Sequence, residues 1–230
     1  EDKWNTRNVE DMEFMFSYAK VFNQDIGNWN TSKVKNMKEM FSEAIVFNQD
    51  IGNWNTSNVT NMHMMFWKAK AFNNNDKPLN TKGDSWNTSN VEDMENMFSY
   101  AEVFNQDIGN WNTIKVTNMS GMFSNATAFN NNDKPLNWNT SNVTNMHGMF
   151  WEAETFNQDI GNWNTIKVTN MYGMFQNAEN FNNNNQPLNW NTSNVTDMNG
   201  MFQNAENFNR DLSTWSSCSL SGSQVPVHMF

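Results

Sequence analysis

The sequence predicts an α/β repeat fold: a solenoid of eight full coils, each of about 25 residues with one short parallel strand and one short helix or 3₁₀ segment. The tripeptide Trp-Asn-Thr recurs at near-constant spacing, and each copy is followed by the same run of Val, Met, Phe and Ala. Apolar residues make up only 37% of the chain, but they are bulky: Met 18, Phe 18 and Trp 11. Disordered chains lack such aromatics, so we expect these side chains to fill a thin core.

Eight repeats form a single solenoid domain at residues 1–214. Five of the eight intervals between successive tryptophans are 25 residues, two are 27 and one is 32, so the register returns after every insertion. The repeats begin at Trp4, Trp29, Trp54, Trp86, Trp111, Trp138, Trp163 and Trp190.

Residues 215–230 follow the last full repeat and open with a degraded copy, Trp215-Ser216-Ser217. We interpret them as a degenerate repeat or a C-terminal cap, because the last coil of a solenoid exposes core unless something covers it. The first coil shows no cap, and the chain begins with Glu1. Both observations favour a mature product or a fragment, with preceding residues or another chain covering the first coil.

Within each repeat, one segment carries apolar residues at gaps of 3, 3, 1, 3 and 3. In the third repeat these residues are Val59, Met62, Met65, Phe66, Ala69 and Phe72. The spacing predicts one face of a helical or 3₁₀ segment, with 56–58 as its N-cap. The stretch 47–54 has room for a strand of about three to five residues. Neither element is stable alone, so consecutive repeats are expected to stack.

The repeated motif W-N-T-S-N-V-T-N-M-x-x-M-F-x-x-A-x-x-F-N-Q-D-I resembles that of the BspA-like leucine-rich-repeat surface proteins, most closely the branch found in mycoplasma and lactic-acid-bacterial surface proteins. The resemblance covers about 4–214. It implies a right-handed, leucine-rich-repeat-like solenoid on a cell surface or in a secreted protein, with a binding or adhesive role. It implies no catalytic residue.

Composition argues against several classes of protein. Lys+Arg 14 against Asp+Glu 24 gives a net charge of -10, which disfavours binding to nucleic acid or to an anionic membrane. There is no run of about 18 apolar residues, hence no predicted membrane span. The single cysteine, Cys218, excludes an internal disulfide framework. No Ser/His/Asp set recurs and no glycine-rich phosphate loop is present, so we expect neither an enzyme nor a cofactor.

Two departures from the repeat pattern are the predicted contact sites. The residue after the Met-Phe pair is Ser or Gln in six repeats but Trp67 and Trp151 in the third and sixth, and exposed Trp is enriched in interfaces. Packing of these rings over a neighbouring loop is the alternative. The proline-containing loops should bulge as an Asn-rich ridge at every second coil, including the excursion at 80–85. Its predicted contact residues are Asn131, Asn132, Asn183 and Asn184.

Other recurrent residues have structural interpretations that we favour over ligand binding. The Trp column and the Met pairs are expected to be core, not a stacking platform or a Cu(I) site. Asp25, Asp50, Asp107 and Asp159 recur beside Asn, where an Asx turn is favoured over Ca²⁺ binding. His63 and His147 occupy equivalent positions roughly 14 Å apart, too far to share a metal. No metal site is predicted.

The sequence therefore predicts a non-catalytic extracellular or cell-surface module that presents an Asn/Thr/Asp-rich surface to a protein or glycan ligand. The alternative is a structural protein whose coils associate through the solenoid ends into a filament or surface layer. Ice or mineral binding through ladders of Thr and Asn is a third hypothesis. It is disfavoured because the threonines lie beside the core Trp.

Overall fold

The computed structural model describes residues 4–79, 85–215 and 229. Cys218, His228, the excursion at 80–84 and most of the expected C-terminal cap lie outside the described residues.

Consecutive repeats lie side by side in register. One Asp or Asn per repeat forms a parallel β-bridge with its counterpart in the next, through Asp11, Asn36, Asn61, Asp93, Asn118, Asn145, Asn170 and Asp197. These bridges, and one antiparallel bridge between Asn55 and Ser85, are isolated, and no continuous strand occurs in 4–79 or 85–215. The bridges precede the Met pair and lie outside 47–54, where the sequence analysis placed a strand.

The segment expected to be helical is a series of turns. Every second N–H of this segment in repeat 2 donates to a carbonyl oxygen of repeat 3, at 2.7–3.0 Å: Met37, Glu39, Phe41 and Glu43 to Asn61, His63, Met65 and Trp67. The intervening N–H groups bond within the repeat, as Met40 does to the Met37 carbonyl at 3.2 Å. Glu39 and Glu43 have φ of 52° and 56°, the third position of successive turns. A right-handed helix requires negative φ, so these turns replace it.

The only 3₁₀ elements within the described ranges are three turns in repeats 3, 5 and 7: Asn74–Asp76, Asn131–Asp133 and Asn183–Asn185. We call them the Asn-rich turns. All nine residues have φ between 48° and 60°, so the turns are left-handed. Asn and Asp tolerate this conformation better than other residues with a side chain, which explains the composition of these loops.

The core predicted from the repeat is confirmed. The Val, Met, Phe, Ala and Trp columns of repeats 3–7 are almost fully buried. Phe66 stacks on Phe72 of its own repeat at 3.9 Å and on Phe98 of the next at 5.4 Å between ring centroids. The Trp54 indole N–H donates to the Ile26 carbonyl at the end of repeat 1 at 3.1 Å. The Trp and Met columns are therefore packing residues, as expected.

An asparagine ladder joins successive repeats at the residue after the second Phe of the motif. The Asn after the second Phe accepts, through Oδ1, the backbone N–H of its counterpart in the next repeat at 2.8–3.0 Å. The ladder runs through Asn23, Asn48, Asn73, Asn105, Asn130, Asn157, Asn182 and Asn209. These bonds hold the register where no β-bridge does.

The two ends of the array differ. In repeat 1, Trp4 is 69% and Val21 91% exposed. At the other end, Trp215 stacks on Trp190 at 5.8 Å and so continues the Trp column. Met229 is 1% exposed, and its carbonyl accepts the Phe202 N–H at 2.8 Å. Met229 therefore covers part of the last full repeat.

Candidate ligand-binding face

Outward-facing side chains of the turn segments form one face of the array, which we call the turn face. On repeats 4–6 it contains a cleft of about 160 Å³. Gly121 and Gly148 leave this space open, and both have positive φ. A Cβ at Gly121 would collide with the Asn96 amide oxygen, while one at Gly148 would lie 3.6 Å from the Trp151 ring. The cleft is lined by Glu95, Asn96, Ser120, Gly121, Ser124, His147, Gly148 and Trp151.

Trp151 forms one wall of this cleft and is half-buried. Its indole N–H donates to Glu152 Oε1 at 3.2 Å. Tyr172 of the next repeat lies 6.5 Å from the Trp151 ring and meets His147 edge-on at 5.1 Å. The predicted contact residue thus belongs to a group of three rings beside an open cleft.

Trp67 has a different environment, although it holds the same position in its repeat. It is half-buried, and the Lys68 ammonium lies 4.0 Å above its ring, a cation–π contact. Lys68 is itself held by Glu43 at 3.2 Å. Lys68 therefore covers one face of the Trp67 ring, an arrangement similar to the packing alternative given in the sequence analysis. Trp67 and Trp151 lie three repeats apart and do not form a common site.

Two of the four predicted Asn contacts require correction. Asn131 and Asn183 are 0% exposed. Asn131 Oδ1 accepts the Ile108 N–H at 2.8 Å, and its amide donates to the carbonyls of Lys134 and Pro135. Asn183 is bonded in the same way, starting from the Ile160 N–H. Their amides satisfy buried backbone groups, so these side chains hold the Asn-rich turns and are not available to a ligand.

Asn132 and Asn184 are exposed, as predicted. Their backbone N–H groups donate to Asn105 and Asn157 Oδ1 at 2.9 Å, which leaves the side chains on the surface. Asn184 borders a groove of about 550 Å³ between the Asn-rich turns of repeats 5 and 7. The groove is lined by 135–138, 158–160, Asn162, Trp163, Asn184 and Gln186. We call it the Asn groove.

The recurrent aspartates form the expected Asx turns. Oδ1 of each accepts the N–H of the glycine two residues on, at 2.9–3.1 Å, in Asp25, Asp50, Asp107 and Asp159. This bond explains why Asp precedes Ile-Gly in these repeats. Glycine is required there, since a Cβ at Gly52 would lie 2.7 Å from the Pro78 carbonyl oxygen.

The sequence as a whole matches one protein family. Residues 2–84, 74–137 and 131–225 match the family described as Mycoplasma protein of unknown function, DUF285. The chain belongs to the DUF285 family. No curated protein and no solved structure matches it. Across the described residues of this DUF285 chain, no helix is both long enough and apolar enough to cross a bilayer.

One cluster on the turn face of this DUF285 protein was missed by the sequence analysis. His63 Nδ1 lies 3.8 Å from Asp93 Oδ2 and 3.7 Å from Glu95 Oε2, and all three side chains are half-buried. Comparison of His63 with His147 does not reveal this cluster, because the neighbours of His63 come from the next repeat. Aligning repeats 3 and 4 across the 32-residue interval would have placed His63 directly beside Glu95.

Proposed function

We propose that this DUF285 chain is a non-catalytic binding module of the extracellular space or the cell surface. In this proposal it is a right-handed, leucine-rich-repeat-like solenoid of the BspA-like type whose ligand is a protein or a glycan. The register of the parallel bridges and the asparagine ladder support a solenoid. An array of this kind repeats one rigid surface many times, which suits ligand recognition better than catalysis.

The observation that carries the proposal is the position of Trp151. Its ring borders an open cleft in a column that holds Ser or Gln in six of eight repeats. Aromatic side chains at the centre of a contact supply much of its binding free energy. The cleft, about 160 Å³, is large enough for one inserted side chain or sugar substituent, and Glu95 and His147 provide polar partners there. Trp151 is therefore the expected anchor.

The test compares two substitutions that each restore the common residue of the column. The chain is screened on a glycan array and against purified extracellular-matrix proteins, and affinities are measured for the probes that bind. Trp151→Gln, which matches repeats 7 and 8, should weaken binding by about 30-fold, the effect of one interface anchor. Trp67→Ser, which matches repeats 2 and 4, should leave binding unchanged. Equal affinity for Trp151→Gln and wild type would contradict the assignment.

The alternative, a structural protein that associates end to end, is supported by the apolar edge of repeat 1. Phe14 and Tyr18 are 47% and 60% exposed there, in addition to Trp4 and Val21. Several large apolar side chains exposed on one repeat are typical of an interface when they form a contiguous patch. Light scattering against protein concentration distinguishes the two functions: open-ended growth favours the structural role, and a constant small species favours the binding module.

A further inference from the structure

We propose that His63, Asp93 and Glu95 form a binding site for a divalent transition-metal ion, with zinc as the representative. The site lies on the turn face where repeats 3 and 4 meet. Their ligand atoms all lie within 4.8 Å of one another. This inference is independent of the ligand proposed for the Trp151 cleft, because its test uses the metal alone.

The separations are those of co-ligands, not of hydrogen-bonded partners. His63 Nδ1 lies 3.8 Å from Asp93 Oδ2 and 3.7 Å from Glu95 Oε2, beyond hydrogen-bond range for both. Two atoms bound tetrahedrally to one zinc at about 2.0–2.1 Å are roughly 3.3–3.5 Å apart. The two separations from His63 exceed this distance by only a few tenths of an ångström. The two carboxylate oxygens lie within 4.8 Å of each other, so they would approach by up to about 1.5 Å to bind the same ion.

Neighbouring groups already orient the two carboxylates. Asp93 Oδ1 accepts the Glu95 N–H at 2.9 Å, which leaves Oδ2 directed at His63. Glu95 Oε2 accepts a hydrogen bond from the Asn118 amide at 2.9 Å. Such bonds behind the ligands fix their orientation and raise metal affinity. The site is thus largely preformed by the register of the repeats.

A comparison with repeat 1 shows that this carboxylate pair lacks a cation. Asp11 and Glu13 occupy the same two positions there, and Lys38 of the next repeat lies 3.2 Å from Glu13 Oε1. Within 4–79 and 85–215, no lysine or arginine forms an ion pair with Asp93 or Glu95, and His63 is the group that faces them. A bound divalent cation would supply the positive charge that Lys38 supplies in repeat 1.

The donor set selects the class of metal. Calcium and magnesium take oxygen ligands, whereas an imidazole nitrogen with two carboxylate oxygens suits zinc and its transition-metal neighbours. Three protein ligands leave a fourth position of a tetrahedral ion open to water or to an exogenous ligand. Glu95 also lines the Trp151 cleft, so the proposed metal site and the cleft share one residue.

Isothermal titration with zinc chloride tests the site through variants with matched controls. Asp93→Asn keeps the acceptor for the Glu95 N–H, because Asn holds this position in repeats 3 and 5, but it removes the charged ligand. We expect one zinc per chain in the wild type, with affinity at least ten-fold weaker in Asp93→Asn and in His63→Asn. The controls Asp197→Asn in repeat 8 and His147→Asn in repeat 6 make the same substitutions at the equivalent positions. Their zinc affinity should remain within two-fold of wild type. All proteins carry Cys218→Ser, which removes a competing thiol.

Imidazole ¹⁵N spectra locate the bound ion independently of heat effects. The His63 resonances should shift at one equivalent of zinc, while those of His147, which faces Tyr172, remain in place. Unchanged affinity in Asp93→Asn, a first response at His147 or His228, or the absence of saturable zinc binding by the wild type would each overturn the proposal.

Discussion

Repeat 1 and the interior repeats share one motif but differ in their neighbours. Phe98 of repeat 4 is 0% exposed between Phe66 and Phe123, at 5.4 and 5.8 Å, whereas Phe16 of repeat 1 is half-buried and has an inter-repeat Phe partner on one side. Trp4 and Trp54 differ in the same way, at 69% and 0% exposure. The difference teaches that a repeat does not bury its own core: burial comes from the repeats on either side.

The largest effect is expected for Phe98→Ala. Removing a fully enclosed ring should cost about 3–5 kcal/mol, because the cavity lies between two flanking repeats that stay packed. Phe16→Ala should cost less than half as much, since that ring is already partly in water. Urea unfolding followed by Trp fluorescence measures both. Equal losses of unfolding free energy would contradict the idea that the contribution of this ring depends on having a repeat on either side.

Adjacent residues within one Asn-rich turn also differ in burial: Asn131 is buried and Asn132 is exposed. Asn131→Gly and Asn132→Gly both retain the left-handed backbone, since glycine adopts positive φ freely. Only Asn131→Gly leaves the buried Ile108 N–H without its acceptor, so we expect a loss of about 2 kcal/mol or more.

The control for this prediction is Asn132→Gly, because the Asn132 side chain is exposed. It should change the unfolding free energy by no more than a few tenths of a kcal/mol. If both variants unfold at the same urea concentration, the hydrogen bonds of Asn131 contribute nothing measurable and the turn is held by its backbone alone.

The smallest effect should come from the exposed pair Glu10–Lys35 on repeats 1 and 2. A hydrogen bond and the positive charge of Lys35, at 2.7 Å, lower the pKa of Glu10 below 4.5. Stability from this pair is present above pH 4.5 and is lost as the pH falls through the lower folded pKa. Lys35→Thr, which matches repeat 3, should move the Glu10 carboxyl titration upward in an NMR pH series. An unmoved midpoint would contradict the assignment.

Sequence reasoning identified the core columns because each apolar position recurs in every repeat. It predicted a short helix or 3₁₀ segment where turns occur, because side chains three apart fit both a helical face and consecutive turns. The signal that separates them is glycine at 121, 148, 173 and 200, the position whose φ is 55–63°. Four glycines at one register oppose a helix and favour a turn.

The candidate site was predicted unevenly for a similar reason. Trp151 departs from its column and could be recognised from the sequence alone. Asn131 and Asn132 are identical neighbours, and only the partner across the repeat, Ile108, separates a buried amide from an exposed one. His63 could be paired with Asp93 from the sequence only by aligning repeats 3 and 4 across the longest interval. Contacts between repeats are therefore the part that sequence spacing describes least.

The direction of the turn ladder has a consequence for assembly. Each turn segment donates its cross-repeat N–H groups to the repeat that follows, so repeat 1 presents the carbonyl oxygens of Glu13, Met15 and Ser17, with no donor among the described residues. If two such edges were placed face to face, these carbonyl oxygens would oppose one another and form no backbone bonds. A partner that offers a row of N–H groups would continue the turn ladder there. A polymer that continues the turn ladder would therefore be polar, with every molecule pointing the same way.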